Sequence, residues 1–338
     1  MGQSVKVDKV DRRLLYELET NCRQSLTKIA KKIGVSKQVV LYKIRRLKKA
    51  GVIQMFSIVI NESMLGYMHF ELWMQLSSIH PERRKELEEY LYSHGKVTFL
   101  ATTGPPYDLL FGLSVHKISE FYSELKTLSQ KFPGLIQNHF VTITGEAIVY
   151  PRSYLLGKAD DERKKRHLVA EMPETVKLDE VDVRLLNELS WDSRMPTLEL
   201  AKKLRISPTT IRSKMKRLKR EGVIEAYRAV IEPTLIGVQP YELLIMSQNM
   251  DEEKELETYC RFNPNIIVVL RLIGRWDIDI LFDAETPEQY KQIIAEIRTR
   301  FGSYIKEYSC PSINRIHRHN YLIDLPSGKP IQKKPSKS

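Results

Sequence analysis

The chain has 338 residues, with 54 Lys plus Arg against 42 Asp plus Glu and a formal net charge of +12. Its composition, 42% hydrophobic and 28% charged, is that of a globular protein rather than a disordered one, and its length exceeds what one core usually supports. No run approaches the roughly 18 apolar residues of a membrane span, and Met1 to Val10 lacks an apolar signal core. Cys22, Cys260 and Cys310 are scattered and form neither a metal-type pair nor an even disulfide set. These features predict two or more domains in a reducing cytoplasm, with no membrane partner.

In chain order, Val10, Leu14, Leu15 and Leu18 recur at helical spacing after Asp8, a natural N-cap. A second short helix runs through Leu26, Ile29, Ala30 and Ile33. Gly34 turns the chain and Ser36 caps a third helix with Val39, Val40, Ile44 and Leu47 as its apolar stripe. Gly51 ends that helix, and Val52-Ile53 and Phe56 to Ile60 read as strand, which completes a winged helix-turn-helix. From Tyr67 the period changes. Phe70, Leu72, Met74 and Leu76 alternate as in a half-buried strand, and the order to Tyr154 is βαββαβ, the ferredoxin-like arrangement.

The whole unit then recurs. Asp8 to Gly66 aligns without a gap on Asp179 to Gly237 at an offset of 171, with about 23 identities in 59 positions, and later segments align at an offset of 169. The predicted fold class is therefore α+β, a winged helix-turn-helix followed by a ferredoxin-like domain, occurring twice. The predicted domains are 1–66, 67–157, a linker at 158–177 with a short solvated helix, 178–237, 238–326, and a disordered basic tail at 327–338.

Charge follows the repeat. Residues 8–66 carry a net +8 and 179–237 a net +3, whereas 67–157 carry −1 and 238–326 carry −4. The third helix has Lys37, Lys43, Arg45, Arg46, Lys48 and Lys49 with no acid, and its counterpart has Arg212, Lys214, Lys216, Arg217, Lys219 and Arg220 with only Glu221. A solvated helix face normally mixes both signs, so such a stripe points to a polyanion, double-stranded DNA. The start of such a helix meets base edges. That nominates Lys37, Gln38, Leu41 and Tyr42 in copy one and Pro208, Thr209, Arg212 and Ser213 in copy two, with Ser36 and Ser207 at the caps. Lys43, Arg45, Arg46, Lys214, Lys216 and Arg217 are expected on phosphates, which position a protein without reading sequence. The base-reading sets differ, so the copies should prefer different half-sites.

No GxGxxG, P-loop, HExxH or GxSxG occurs, and no catalytic residue, cofactor or metal site is expected. His317 and His319 near Cys310 lack a second ligand pair. A ferredoxin-like sheet with helices on one face leaves the other in need of cover. Homo-oligomers formed through these sheets are the expectation, with chains pairing in preference to copies within a chain.

The series Asp8, Asp11, Leu14-Leu15, Arg23, Ile29-Ala30, Ser36, Arg46-Leu47-Lys48 and Gly51-Val52-Ile53, repeated as Asp179, Asp182, Leu185-Leu186, Arg194, Leu200-Ala201, Ser207, Arg217-Leu218-Lys219 and Gly222-Val223-Ile224, resembles the Lrp/AsnC family of transcriptional regulators. The resemblance covers nearly all the chain outside linker and tail. It implies a DNA-binding regulator, assembled through its sheets and modulated by an amino-acid effector. In that family the effector site uses a G-x-[YWF]-D turn, which Gly274-Arg275-Trp276-Asp277 matches; the resemblance sets Asp277 against an ammonium group and the amides near Gly274 against a carboxylate. Gly104-Pro105-Pro106-Tyr107-Asp108 is one residue longer and lacks two amide donors, so Gly104 and Asp108 match less well. An amino acid is therefore expected in copy two and not in copy one. A rival reading is an enzyme like the siroheme decarboxylases of haem formation, which resemble this family in fold; the basic helices argue against it.

Overall fold

The computed structural model describes residues 4–77, 81–157, 166–169, 175–249 and 253–319. The tail at 327–338 and most of the predicted linker lie outside them.

Helix α1 (Lys9–Asn21) begins with a reciprocal capping box, Asp8 accepting from the Asp11 amide and Asp11 from the Asp8 amide. Helix α2 (Leu26–Ile33) ends at Gly34, whose φ of +75° turns the chain into α3 (Lys37–Lys49). Strand β1 (Ile53–Ile60) follows. Among the described residues the strand pairs with no strand of its own copy. It pairs antiparallel with β7 (Ile224–Ile231), its counterpart in copy two, after α6 (Glu180–Trp191), α7 (Thr197–Leu204) and α8 (Pro208–Arg220). Ser57 lies opposite Arg228, which is its own equivalent in the repeat, so a pseudo-twofold axis passes between them. The two helix-turn-helix units share one apolar core around Leu14, Leu18, Ile58, Leu185, Leu189 and Ala229. Near the axis, the amides of Cys22 and Ser193 donate to Tyr227 and Phe56 carbonyls, at 2.8 and 2.9 Å.

Copy one continues as β2 (Met68–Leu76), α4 (Pro81–Ser93), β3 (Val97–Thr103), β4 (Leu109–Val115), α5 (Ile118–Lys131) and β5 (Ile136–Val149). After β6 (Arg166–Val169), copy two repeats it as β8 (Gln239–Ser247), α9 (Glu253–Phe262), β9 (Ile266–Gly274), β10 (Ile278–Ala284), α10 (Pro287–Phe301), and β11 (Ile305–Ser309) with β12 (Ile313–His319), which together take the place of β5. β6 pairs with β5, so this part of the predicted linker is strand, where a short helix was expected.

The strands run β11-β8-β10-β9-β5-β2-β4-β3-β12. The first half of β5 pairs with β2 and the second with β9 of the other copy. β12, three residues after β11, pairs with β3 of copy one. The path therefore closes on itself as a barrel made of two half-barrels. Each half keeps its own helices outside, over separate cores. The inner faces meet in a shared core of Trp73, Ala101, Leu110, Leu244, Leu272 and Trp276. This corrects the expectation that chains pair in preference to copies: the sheet face left bare by the helices is covered by the other half of the same chain.

Candidate nucleic-acid interface and effector turns

The third helix of each copy is set by its cap and its acidic neighbours. Ser36 Oγ accepts from the Val39 amide at 3.3 Å and Ser207 Oγ from the Thr210 amide at 3.0 Å, which orders the first turn. Val40, Ile44 and Leu47 turn inward in α3, and Ile211 and Leu218 in α8. That leaves Lys37, Gln38, Tyr42 and Arg45 exposed on α3, with Tyr42 at 66%, and Thr209, Arg212, Ser213 and Lys216 exposed on α8. Arg45 and Lys216 make no ion pair among the described residues.

Four of the six cations expected on phosphates are ion-paired to the first helix of their own copy. Lys43, 12% exposed, lies 2.6 Å from Asp8 and 3.0 Å from the fully buried Asp11, which also holds Arg46. Copy two repeats the arrangement: Lys214 pairs with Asp179 and lies 3.0 Å from Asp182, which holds Arg217. The hydrogen bond from Lys43, with the Asp11 amide, lowers Asp8 to about 2. Burial opposes the charge on Lys43, yet Asp8 and Asp11 hold its pKa above the usual lysine range. Lys43, Arg46, Lys214 and Arg217 thus brace the first helix of each copy against the third. The anions that seemed missing from the third helix stand at the start of the first. The signal was present: both acids and both cations are identical in the two copies.

The two candidate effector turns are built alike. Asp277 Oδ2 accepts from the Ser247 amide at 2.7 Å and from its hydroxyl at 2.8 Å. Asp108 Oδ2 accepts from the Leu76 amide at 2.8 Å, while Oδ1 lies 3.3 Å from Arg84. Each carboxylate closes the end of the strand beside it. Each glycine abuts the other copy: a Cβ on Gly274, at φ +152°, would stand 2.7 Å from the Val141 carbonyl, and one on Gly104 would stand 2.4 Å from Ser312 Oγ. Trp276 is buried in the barrel core rather than lining an open site. The inserted proline changes the outline of the copy-one turn and leaves the bonding of its aspartate intact.

Among the described residues no three His, Cys, Asp or Glu converge to hold a metal. The side chain of His319 lies outside them. No described helix is long and apolar enough to cross a membrane.

A helix-turn-helix pair with an exposed, capped third helix, present twice around a pseudo-dyad, defines a DNA-binding class. A profile of winged helix-turn-helix DNA-binding domains matches residues 7–54 and 178–225. The leucine-responsive regulatory protein of Haemophilus influenzae is 41% identical over 152 residues, which span 43% of this chain and 90% of that protein. The proline dehydrogenase transcriptional activator of Rhizobium radiobacter is 35% identical over 131 residues, 38% of this chain and 84% of that protein. The chain belongs to the Lrp/AsnC family of DNA-binding transcriptional regulators, as a tandem of two Lrp-like units. The solved siroheme decarboxylase NirDL, in complex with an iron-uroporphyrin III analogue, aligns with a TM-score of 0.61 over 93% of this chain and 95% of its own, at 15% identity. That likeness extends the shared fold to both units at once.

Proposed function

We propose that a single chain acts as a complete DNA-reading unit, applying two unlike recognition helices to an operator with two unlike, inverted half-sites, and that it works as a regulator and not as an enzyme. The observation that carries this reading is the β1–β7 pairing about a pseudo-dyad, which ties α3 and α8 to one shared core. In it, Lys37, Gln38 and Tyr42 read one half-site and Thr209, Arg212 and Ser213 the other. Arg45 and Lys216 hold phosphates, and Ser36 and Ser207 present the first-turn amides to the backbone. Lys43, Arg46, Lys214 and Arg217 keep each recognition helix at its angle. Modulation by an amino acid draws support from the family alone, since both turn aspartates already bond to their own strands.

The test is retention of duplex fragments selected from random DNA by the full chain, at graded salt. Arg45→Ala should weaken binding to all sequences alike and reduce the slope of log K against log salt by roughly one unit. Lys43→Ala should leave the slope nearly unchanged. Equal slope changes in both would return Lys43 to the phosphates. No retention of any duplex, together with a Soret-type band on adding a tetrapyrrole, would instead favour the decarboxylase-like reading that the full-length likeness to NirDL brings.

A further inference from the structure

The barrel interior carries carboxylates among its apolar side chains. Glu71 on β2 shares the inward face of its strand with Trp73, and lies opposite Thr142 of β5. Glu242, its equivalent in the repeat, lies opposite Leu281, and Asp279 lies opposite Leu244 and Leu270. These are inner-face positions of the second half-barrel. The three residues are 7%, 6% and 2% exposed. Among the described residues Glu71 Oε2, Glu242 Oε2 and Asp279 Oδ1 have no hydrogen-bond partner, and neither has the fully buried Thr142 hydroxyl beside Glu71.

The charged groups around them are few. Among the described residues His69 on β2 is the one cation whose field reaches Glu71, and it is shared with Glu62, 3.6 Å away, and with Ser114 Oγ at 2.9 Å. Among the described residues no Lys or Arg acts on Glu242 or Asp279. Glu242 and Asp279 share a hydrogen bond with each other, and both feel Glu71 across the barrel. Cys310, between β11 and β12, is pushed up to about 12, chiefly by burial, with Asp279 and Glu242 adding to the rise. Three ionised carboxylates in such an interior would cost far more than their protonation. Burial, then the field of Glu71, pushes Asp279 up to about 8 against the lowering effect of its hydrogen bond with Glu242, and burial, with Asp279 and Glu71 near by, raises Glu242 well above the usual carboxylate range.

We propose that these carboxyls make the joint between the half-barrels a proton-operated lock, shut while Glu242 and Asp279 are protonated and loosened as they ionise. Glu71 belongs to one half and the other two to the second, so the repulsion that develops acts across the joint. The sign is fixed by linkage. Between the ordinary carboxylate range and about pH 8 the folded chain binds more protons here than the unfolded chain does. Their contribution to stability therefore falls as pH rises through that window.

Thermal unfolding of the full chain from about pH 5 to about pH 9, with Glu242→Gln, Asp279→Asn and the double variant alongside, tests the lock. The double variant should match the parent near pH 5 and melt several degrees higher near pH 8. Parallel curves would overturn the proposal. Infrared spectroscopy of the parent at neutral pH gives a second reading that needs no variant. A protonated-carboxyl carbonyl band that disappears on raising the pH supports the lock, and absence of that band overturns it. Magnesium or calcium that raises the melting temperature of the parent near pH 8, but not that of the double variant, would also overturn it, because a metal rather than protons would then neutralise the cluster.

Discussion

Copy one and copy two have the same fold but different joints to one another. On one side of the pseudo-dyad, Glu19 of α1 is buried against Arg152, after β5, and against Arg228 of β7 at 2.6 Å. Arg152 Nε continues to Asp283 of β10 at 2.7 Å, and Asp283 also accepts from the Tyr154 hydroxyl at 2.8 Å. The repeat equivalents of Glu19 and Arg228 are Ser190 and Ser57, and there a single bond from Ser57 Oγ to the Ser190 carbonyl, 2.9 Å, replaces the charges. Two copy-one units would set Glu19 against Ser57, and two copy-two units would set Arg228 against Ser190. The first arrangement leaves Glu19 only Arg152 of its own copy, and the second leaves Arg228 without its carboxylate. The duplicated halves have thus diverged into unlike complements that fit each other better than themselves, and the pairing inside the chain follows from that divergence.

The largest expected effect breaks the charged side. Glu19→Ala strands Arg228, leaves Arg152 with Asp283 alone, and should cost about 3–5 kcal/mol in urea unfolding, whereas Ser57→Ala on the opposite side should cost about 1 kcal/mol. Similar losses would mean the two sides are energetically alike. The pH dependence separates them further. Burial alone would raise Glu19, but Arg152 and Arg228 outweigh it and hold its pKa below the usual range. Its contribution is therefore complete above that range and is lost as pH falls through the lowered value, the opposite sense to the barrel carboxyls. Glu19→Gln should flatten the acid limb of the stability profile and leave the alkaline limb unchanged.

A smaller effect compares the turns. Asp108→Ala and Asp277→Ala each remove the acceptor of a strand-end amide and should each lower stability by about 1 kcal/mol. A loss confined to amino-acid binding in Asp277→Ala, measured by calorimetry with stability unchanged, would restore the family's effector role to copy two alone. The smallest effect lies at the bend inside each helix-turn-helix. Copy one uses Gly34 at φ +75°, and copy two places Arg205 at φ +56°. A side chain is disfavoured in that conformation, so Arg205→Gly should stabilise copy two by about 0.5–1 kcal/mol in thermal unfolding. A destabilised variant would assign Arg205 a contact of its own.

The helices and strands were legible because each buries one face at a fixed period, as Leu14, Leu15 and Leu18 or Phe70, Leu72 and Met74 do. What strands pair with is not a local property. Nothing in the run Phe56 to Ile60 says that its partner lies some 170 residues away. Alternation in β2 marked Phe70 and Leu72 as buried and set Glu71 on the opposite, wet face, yet that face is the barrel interior. For the third helix the useful pattern was the contrast between copies. Positions that stay the same, Lys43 with Lys214 and Arg46 with Arg217, are the brace, whereas Gln38 and Thr209 or Tyr42 and Ser213 face outward and differ.

The closing of the barrel also governs how the chain is made. Strand β12 supplies the outer edge of copy one's sheet by pairing with β3, more than 200 residues earlier. β1 likewise waits for β7, and β5 for β9. As the chain leaves the ribosome, its first half is produced with three strand edges open, and they stay open until the second half has emerged. Contacts so distant in sequence make for slow folding. During that interval the bare edges of β1, β3 and β5 are open to pairing with another nascent copy, which makes domain swapping the misfolding route that this topology opens.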